Sequence, residues 1–417
     1  MQSDRYDLLI VGAGHAGLRA AQAARKAACG ISIGMIGAEP HLPYQRPPLS
    51  KGGLVDPQQR ARSQLAPDSF FAEQRITILL GTPVARIDAA ARTVEMDSGR
   101  RVGYGQLVLA TGSRARALAG LEGSGHVLRT LDDAVAVGER LRPGKRLAVI
   151  GGGFIGLELA ATATKAGCDV TVYEGAPQVL ARLLPGHVAE PVARFHRERG
   201  VEILTDCRIA AVCPDARGGY RIESGAGVRR HDHVVAGIGV LPNTGLAEDA
   251  GLVVDDGILV DEYGRTSNPD IFAAGEVTRH PTPGCPVPQR IESWQVAEQQ
   301  AACAGSSVAG VPTAYRQVPW LWSDQGDLNL QILGVVPRMA EWIIRGALDA
   351  PSFCAIAMAD SAPRAVLGFN AGRDIAALRR VLGDELPVSA TDLADTGMAW
   401  RAIMDRAGKV RQRAAES

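Results

Sequence analysis

The chain lacks the cysteine spacings that announce a redox centre or a metal site. Its seven cysteines (Cys29, Cys168, Cys207, Cys213, Cys285, Cys303 and Cys354) are odd in number and scattered, with no CxxC or CxxxxC among them. The usual sequence signs of a disulfide framework, a zinc site or an iron–sulfur cluster are therefore missing, and no metal ligand is expected. An excess of charge is missing too: 45 Lys+Arg balance 45 Asp+Glu, which argues against nucleic acid as a partner. No apolar run approaches the roughly 18 residues that span a bilayer, so no membrane crossing is expected. The opening MQSDRYDLLIVG has no cationic stretch followed by a cleavable apolar segment, and a cytoplasmic protein is the expectation. Nothing resembles a dimerisation helix or coiled coil, and a monomer is the default reading.

Glycine is what the chain has in plenty. Its 48 glycines run above the roughly 7 % of average usage, and many fall in short strand-to-helix turns rather than in repeats. At 417 residues the chain exceeds what one hydrophobic core usually supports, so two or three domains are expected. Hydrophobic residues at 46 % and charged residues at 22 % describe an ordinary globular composition.

Residues 6–11 form a short apolar run ending in glycine. An Ala-rich helical stretch to about Ala28 and a second apolar run over 31–36 complete a βαβ unit. The same order recurs as a strand over 147–150, glycines, a helical segment over 154–166 and a strand over 170–173. Between 208 and 233, Pro, Gly and charges interrupt short apolar stretches, which predicts a hairpin excursion before a strand over 233–238. From about Pro319 the Gly-rich pattern ends. Apolar runs over 328–333 and 341–344 then alternate with turns, and 374–382 has helical spacing. The expected fold class is α/β: two Rossmann-like dinucleotide-binding domains followed by a C-terminal α+β domain.

The segment LIVGAGHAGLRAA sets Gly12, Gly14 and Gly17 in GxGxxG spacing where a strand gives way to a helix. The first glycine allows the tight turn, the second lets a pyrophosphate approach the backbone, and the third lets helix pack on strand. The helix start then offers free N–H groups and a positive dipole end to the anion. Glu39, after the second strand, stands where a carboxylate accepts hydrogen bonds from an adenosine ribose. LAVIGGGFIGLELAA repeats the device with Gly151, Gly153 and Gly156, and Glu174 ends the next strand. A carboxylate there accepts from a ribose 2′-OH and repels a 2′-phosphate, favouring NADH over NADPH. Two such sites imply two cofactors, pointing to a flavin reduced by a nicotinamide.

The stretches HLPYQRPPLSK, LVLATGSRAR, VIGGGFIGLELAA, GIGVLPNTGLAEDAGL, GRTSNPDIFAAGEV and VPWLWSDQGDLNLQI together carry a family resemblance. The chain resembles the FAD-dependent ferredoxin reductases of oxygenase systems, of the putidaredoxin reductase and biphenyl dioxygenase ferredoxin reductase type, over nearly its whole length and least after about Pro351. The resemblance implies a glutathione-reductase-like arrangement with FAD and NADH as cofactors. An FAD domain over 1–113 and 243–318 would be interrupted by an NAD domain over 114–242 and followed by an interface domain over 319–417. It carries the family's FAD contacts onto Gly12, Gly14, Ala16, Glu39, Arg46, Lys51, Val84, Arg129, Glu276 and Trp294. Two positions depart from the pattern. Ala38 stands where many relatives have Asp, leaving Glu39 as the acid available to the ribose. AAGEV replaces AAGDV, so Glu276 reaches with one extra methylene.

Lys51 follows Pro47 and Pro48, which stiffen its approach by fixing φ. One reading is a solvated surface lysine. The family arrangement puts its ammonium beside the flavin, where it would stabilise negative charge on the reduced ring. Glu158 is its expected partner, because a buried charge left alone is costly, and a candidate holder of the nicotinamide amide. Trp320 and Trp322 alternate with Leu321 as on a strand with one face inward. Core packing is one reading; the family reading has one of the two indoles shield the flavin on the side where electrons leave.

A nicotinamide delivers two electrons at once, and a flavin can accept both and release them singly. Disulfide reductases of related architecture keep a redox cysteine beside the flavin, but residues 39–51 hold none. An external one-electron carrier is therefore expected: a small [2Fe-2S] ferredoxin that supplies a cytochrome P-450 monooxygenase or a Rieske dioxygenase. Arg316, Arg62 and Arg290 are candidates to steer an acidic ferredoxin. The alternatives are a rubredoxin reductase, an NADH oxidase, and a non-enzymatic flavoprotein of the apoptosis-inducing-factor kind, which a basic tail would favour.

Overall fold

A computed structural model describes residues 5–121, 125–360, 362–379, 382, 388–403 and 405–406. The chain divides into two compact units, one from 1–45, 63–114 and 241–319, the other from 46–62, 115–240 and 320–417.

The first unit is built on the strand Arg5–Val11, whose last four residues are buried. It pairs in parallel with Ile33–Ile36 on one side and Arg101–Leu109 on the other. Ile76–Leu79 extends the sheet beyond Ile33–Ile36, and Ile271–Ala273 pairs with the end of Arg101–Leu109. Covered on both faces, these strands read as continuous apolar runs rather than as alternation. Thr93–Met96 and Val84–Asp88 add an antiparallel hairpin. Helices His15–Ala27 and Ala301–Val308 share a buried cluster with this sheet. Their contact is close because a Cβ on Gly305 would stand 2.2 Å from the Ala20 carbonyl oxygen.

The second unit holds a four-stranded parallel sheet in the order Glu202–Leu204, Asp169–Tyr173, Arg146–Ile150, His233–Ala236. The excursion expected between 208 and 233 is a three-stranded antiparallel meander, Ile209–Pro214, Tyr220–Ser224 and Gly227–His231. Residues 46–62 belong to this unit, and Leu54 lies so near Gly138 that a Cβ there would meet its carbonyl oxygen at 2.1 Å. Five antiparallel strands follow in the spatial order Trp320–Gln325, Leu328–Gly334, Ala362–Phe369, Phe353–Ala359, Glu341–Arg345. Leu328, Leu330, Ile332, Phe353 and Leu367 of that sheet share one buried cluster with Leu157, Val188 and Val192. The architecture is α/β with parallel sheets in both units and an antiparallel C-terminal sheet.

Several element ends differ from the sequence expectation. The strand expected over 31–36 begins at Ile33, and that over 233–238 ends at Ala236. The helix expected over 374–382 is Gly372–Leu378, with 380 and 381 outside the described residues. Helix Gly186–Arg197 has no counterpart in the sequence reading because Pro191 interrupts it, and proline normally breaks a helix interior. Among the described residues, no helix is long and apolar enough to cross a membrane.

Candidate functional site: two glycine loops and a buried carboxylate

In the first unit, strand turns to helix through Gly12, Ala13 and Gly14. Gly12 has φ +115°, and a Cβ there would stand 2.1 Å from the Ala110 carbonyl oxygen, so the turn excludes any side chain. A Cβ on Gly17 would lie 1.9 Å from the Gly12 carbonyl oxygen, which fixes how closely helix sits on loop. Gly14 is different, for nothing lies within 4 Å of its Cβ position. It caps the helix without a side-chain hydrogen bond, and the first turn carries no acid. The loop thus leaves an open cradle at a helix start, which fits the pyrophosphate of a dinucleotide.

Other expected residues lie in the same unit. A Cβ on Gly275, next to half-buried Glu276, would lie 2.7 Å from the Ala16 Cβ. Trp294 stands edge-on to His15 at 5.3 Å between ring centroids. The Glu39 carboxylate accepts a hydrogen bond from the Tyr44 hydroxyl. Val84 opens its strand and packs against the buried cluster that includes Ile36. His15, Arg19 and Glu298 escaped the sequence reading. Glu298 Oε2 accepts from Arg19 Nε at 2.6 Å and lies 2.6 Å from His15 Nε2. Burial lowers the His15 pKa against the opposing pull of Glu298. The one sequence signal was a histidine inside the glycine motif.

The second unit repeats the geometry. Gly151 has φ +105°, and its Cβ would meet the Gly237 carbonyl oxygen at 2.5 Å; that of Gly156 would meet the Gly151 carbonyl oxygen at 2.0 Å. Gly153 again faces open space. Glu174 is fixed at the lip of this loop, accepting from the Gly152 N–H at 2.7 Å and the Ala176 N–H at 2.8 Å. Arg46 Nη1 donates to the Arg129 carbonyl oxygen at 2.7 Å, and the Arg129 N–H donates to Asp133.

Lys51 and Glu158 meet in this unit. Lys51 Nζ lies 2.8 Å from Glu158 Oε2 and donates to the Pro47 carbonyl oxygen at 3.0 Å. Glu158 is only 3 % exposed while the Lys51 side chain is 21 % exposed, so losing the cation costs less than the roughly 3–5 kcal/mol of a fully buried pair. Two hydroxyls missed by the sequence reading complete its shell: Ser50 donates to Oε2, and Ser323 donates to Oε1 at 2.6 Å. Trp320 and Trp322 stack on one another, centroids 4.9 Å apart. The Arg379 guanidinium covers Trp320 at 4.6 Å, and Trp320 Nε1 donates to Gln331.

The three arginines expected to steer a partner differ in availability. Arg62 is exposed. Arg316 is exposed and forks onto the Glu262 carboxylate at 3.0 and 3.2 Å. Arg290 must be dropped from the set, because its side chain is 10 % exposed and paired with Asp256 and Glu292.

Two open glycine cradles, each with a carboxylate after the following strand, have the geometry that suits two dinucleotides. The pyridine nucleotide-disulphide oxidoreductase family matches residues 6–301, and the reductase C-terminal family matches 320–404. The chain is 44 % identical to the anthranilate 1,2-dioxygenase system ferredoxin–NAD(+) reductase component of Burkholderia cepacia, over 97 % of this chain and 100 % of that protein. It is 38 % identical to rhodocoxin reductase of Rhodococcus erythropolis, over 93 % of this chain and 92 % of that one. A chain in the crystal structure of the covalent putidaredoxin reductase–putidaredoxin complex matches it with a TM-score of 0.92 and 34 % identity, over 97 % of this chain and 99 % of that chain. The chain belongs to the pyridine nucleotide-disulphide oxidoreductase family, among its ferredoxin–NAD(+) reductases, and its cofactors are FAD and NAD(H).

Proposed function

We propose that this reductase, a cytoplasmic monomer, passes electrons from NADH to a [2Fe-2S] ferredoxin that serves a cytochrome P-450 monooxygenase or a Rieske dioxygenase. The observation that carries this reading is the full-length match to a dioxygenase-system ferredoxin reductase. The absence of any cysteine between 39 and 51 supports it. Bound FAD supplies the exchange between two-electron and one-electron chemistry.

The chain's own residues would do the rest. Gly12, Gly14, Ala16 and Gly17 would cradle the FAD pyrophosphate, and Glu39 would accept from its ribose. Arg46, Val84, Arg129, Glu276 and Trp294 would make further FAD contacts. Gly151, Gly153 and Gly156 would receive the NADH pyrophosphate. Glu174, already oriented by two backbone donors, would accept from the ribose 2′-OH and repel a 2′-phosphate. Lys51, anchored by Glu158 and Pro47, would present positive charge to the flavin. One indole of the stacked pair Trp320 and Trp322 would shield it on the electron-exit side.

A steady-state NADH assay with a [2Fe-2S] ferredoxin, a rubredoxin and oxygen as alternative acceptors tests the reading. The ferredoxin should give the highest kcat/KM, and light scattering should give the mass of one chain. A rubredoxin preference would contradict the acceptor assignment.

A further inference from the structure

We propose that Ser323, Gln325 and His196 form a directed hydrogen-bond chain that orients the Glu158 carboxylate, and so act as positioning residues for the Lys51–Glu158 pair. The inference rests on the role given above to that pair. Strand alternation places Leu321, Ser323 and Gln325 on the face opposite Trp320 and Trp322. Ser323 and Gln325 are fully buried, and His196, on helix Gly186–Arg197, is 1 % exposed.

The direction of each bond follows from its neighbour. Glu158, paired with Lys51, is an acceptor only, so the single hydroxyl proton of Ser323 is committed to Oε1 at 2.6 Å. Ser323 Oγ then accepts from Gln325 Nε2 at 3.1 Å. That turns Gln325 Oε1 toward His196 Nε2, 2.7 Å away. His196 Nε2 must therefore carry the proton. Burial lowers the His196 pKa, which favours the neutral ring that the chain requires. Leaving any one of these buried groups unpaired is unfavourable, so the chain reverses as a whole or not at all. The tautomer of His196 consequently reports what stands at position 158.

This consequence is measurable in FAD-loaded protein labelled with 15N-histidine, with the His196 signal assigned by its loss in His196→Gln. The wild-type ring should carry its proton on Nε2. In Glu158→Gln the new amide must keep its oxygen toward Lys51 and Ser50, so it donates to Ser323. Ser323 then donates to Gln325, Gln325 donates to His196, and the ring proton moves to Nδ1. A wild-type ring protonated on Nδ1, or a tautomer unchanged in Glu158→Gln, overturns the chain.

Its contribution to the reaction is read by stopped-flow reduction of the flavin by NADH. Ser323→Ala should slow that step about tenfold with FAD content unchanged. If Lys51→Met is slow while Ser323→Ala keeps the wild-type rate, the positioning role falls and the role of Lys51 stands. If both keep the wild-type rate, the role given to the Lys51–Glu158 pair falls as well.

Discussion

Glu174 is held in place by the N–H groups of Gly152 and Ala176. In the proposed role a carboxylate so fixed would select by charge, and exchanging it for a cation should reverse the selection. Glu174→Arg is expected to move the NADH to NADPH ratio of kcat/KM toward NADPH by about 2–3 kcal/mol, the scale of one or two charge-assisted hydrogen bonds. An unchanged ratio would remove Glu174 as the selector. Lys51→Met leaves Glu158 the Ser50 and Ser323 hydroxyls. The fold and FAD content should therefore hold while flavin reduction slows, as followed by stopped-flow absorbance.

Buried histidines set an acid limit at the same scale. Burial, aided by Arg146 and Arg229, depresses the His231 pKa to about 4, and burial alone takes His280 to about 4. Unfolded histidine titrates near 6.5, so between those values the unfolded chain binds more protons. Stability is then complete above about pH 6.5 and lost as pH falls toward 4. The thermal midpoint should drop across that window, and His280→Phe should flatten part of the slope.

At the scale of elements, the two glycines of one loop separate folding from binding. A Cβ on Gly156 would stand 2.0 Å from the Gly151 carbonyl oxygen, whereas one on Gly153 meets nothing. Gly156→Ala should destabilise the protein by about 1–3 kcal/mol, as overpacking does, and lower its thermal midpoint. Gly153→Ala should leave the midpoint in place and raise the NADH dissociation constant, because the methyl would enter the space proposed for the pyrophosphate. Both loops are legible in sequence because their glycines perform backbone tasks at fixed spacing. The surroundings of Glu158 are not. Ser50, Ser323, Gln325 and His196 come together only through tertiary packing, and the helix that carries His196 is disguised by Pro191. The one available signal was alternation: the pattern that aligns Trp320 with Trp322 also sets Ser323 and Gln325 inward. Glu298 meets His15 and Arg19 across separations of 283 and 279 residues, beyond the reach of any local period.

For the whole molecule, 45 positive side chains against 45 negative ones leave no net charge, so any attraction of an acidic partner must come from how the charges are distributed. Arg62 and Arg316 are exposed and able to contribute, with Arg316 already sharing its charge with Glu262. Such attraction is screened over a Debye length of about 10 Å at 0.1 M salt. Ferredoxin reduction should slow as salt rises from low ionic strength, and more weakly in Arg62→Ala. Reduction of ferricyanide, which needs no protein docking, should not follow the same dependence.

The central claim is that electrons entering from NADH leave singly to a [2Fe-2S] protein. Its most direct test is double-mixing stopped flow: the enzyme is first reduced anaerobically with NADH, then mixed with either a [2Fe-2S] ferredoxin from the same source or oxygen. Flavin reoxidation should be faster with the ferredoxin, in step with bleaching of the ferredoxin's visible absorbance. Rapid reoxidation by oxygen, with no such ferredoxin reduced faster, would contradict the account and identify the chain as an oxidase.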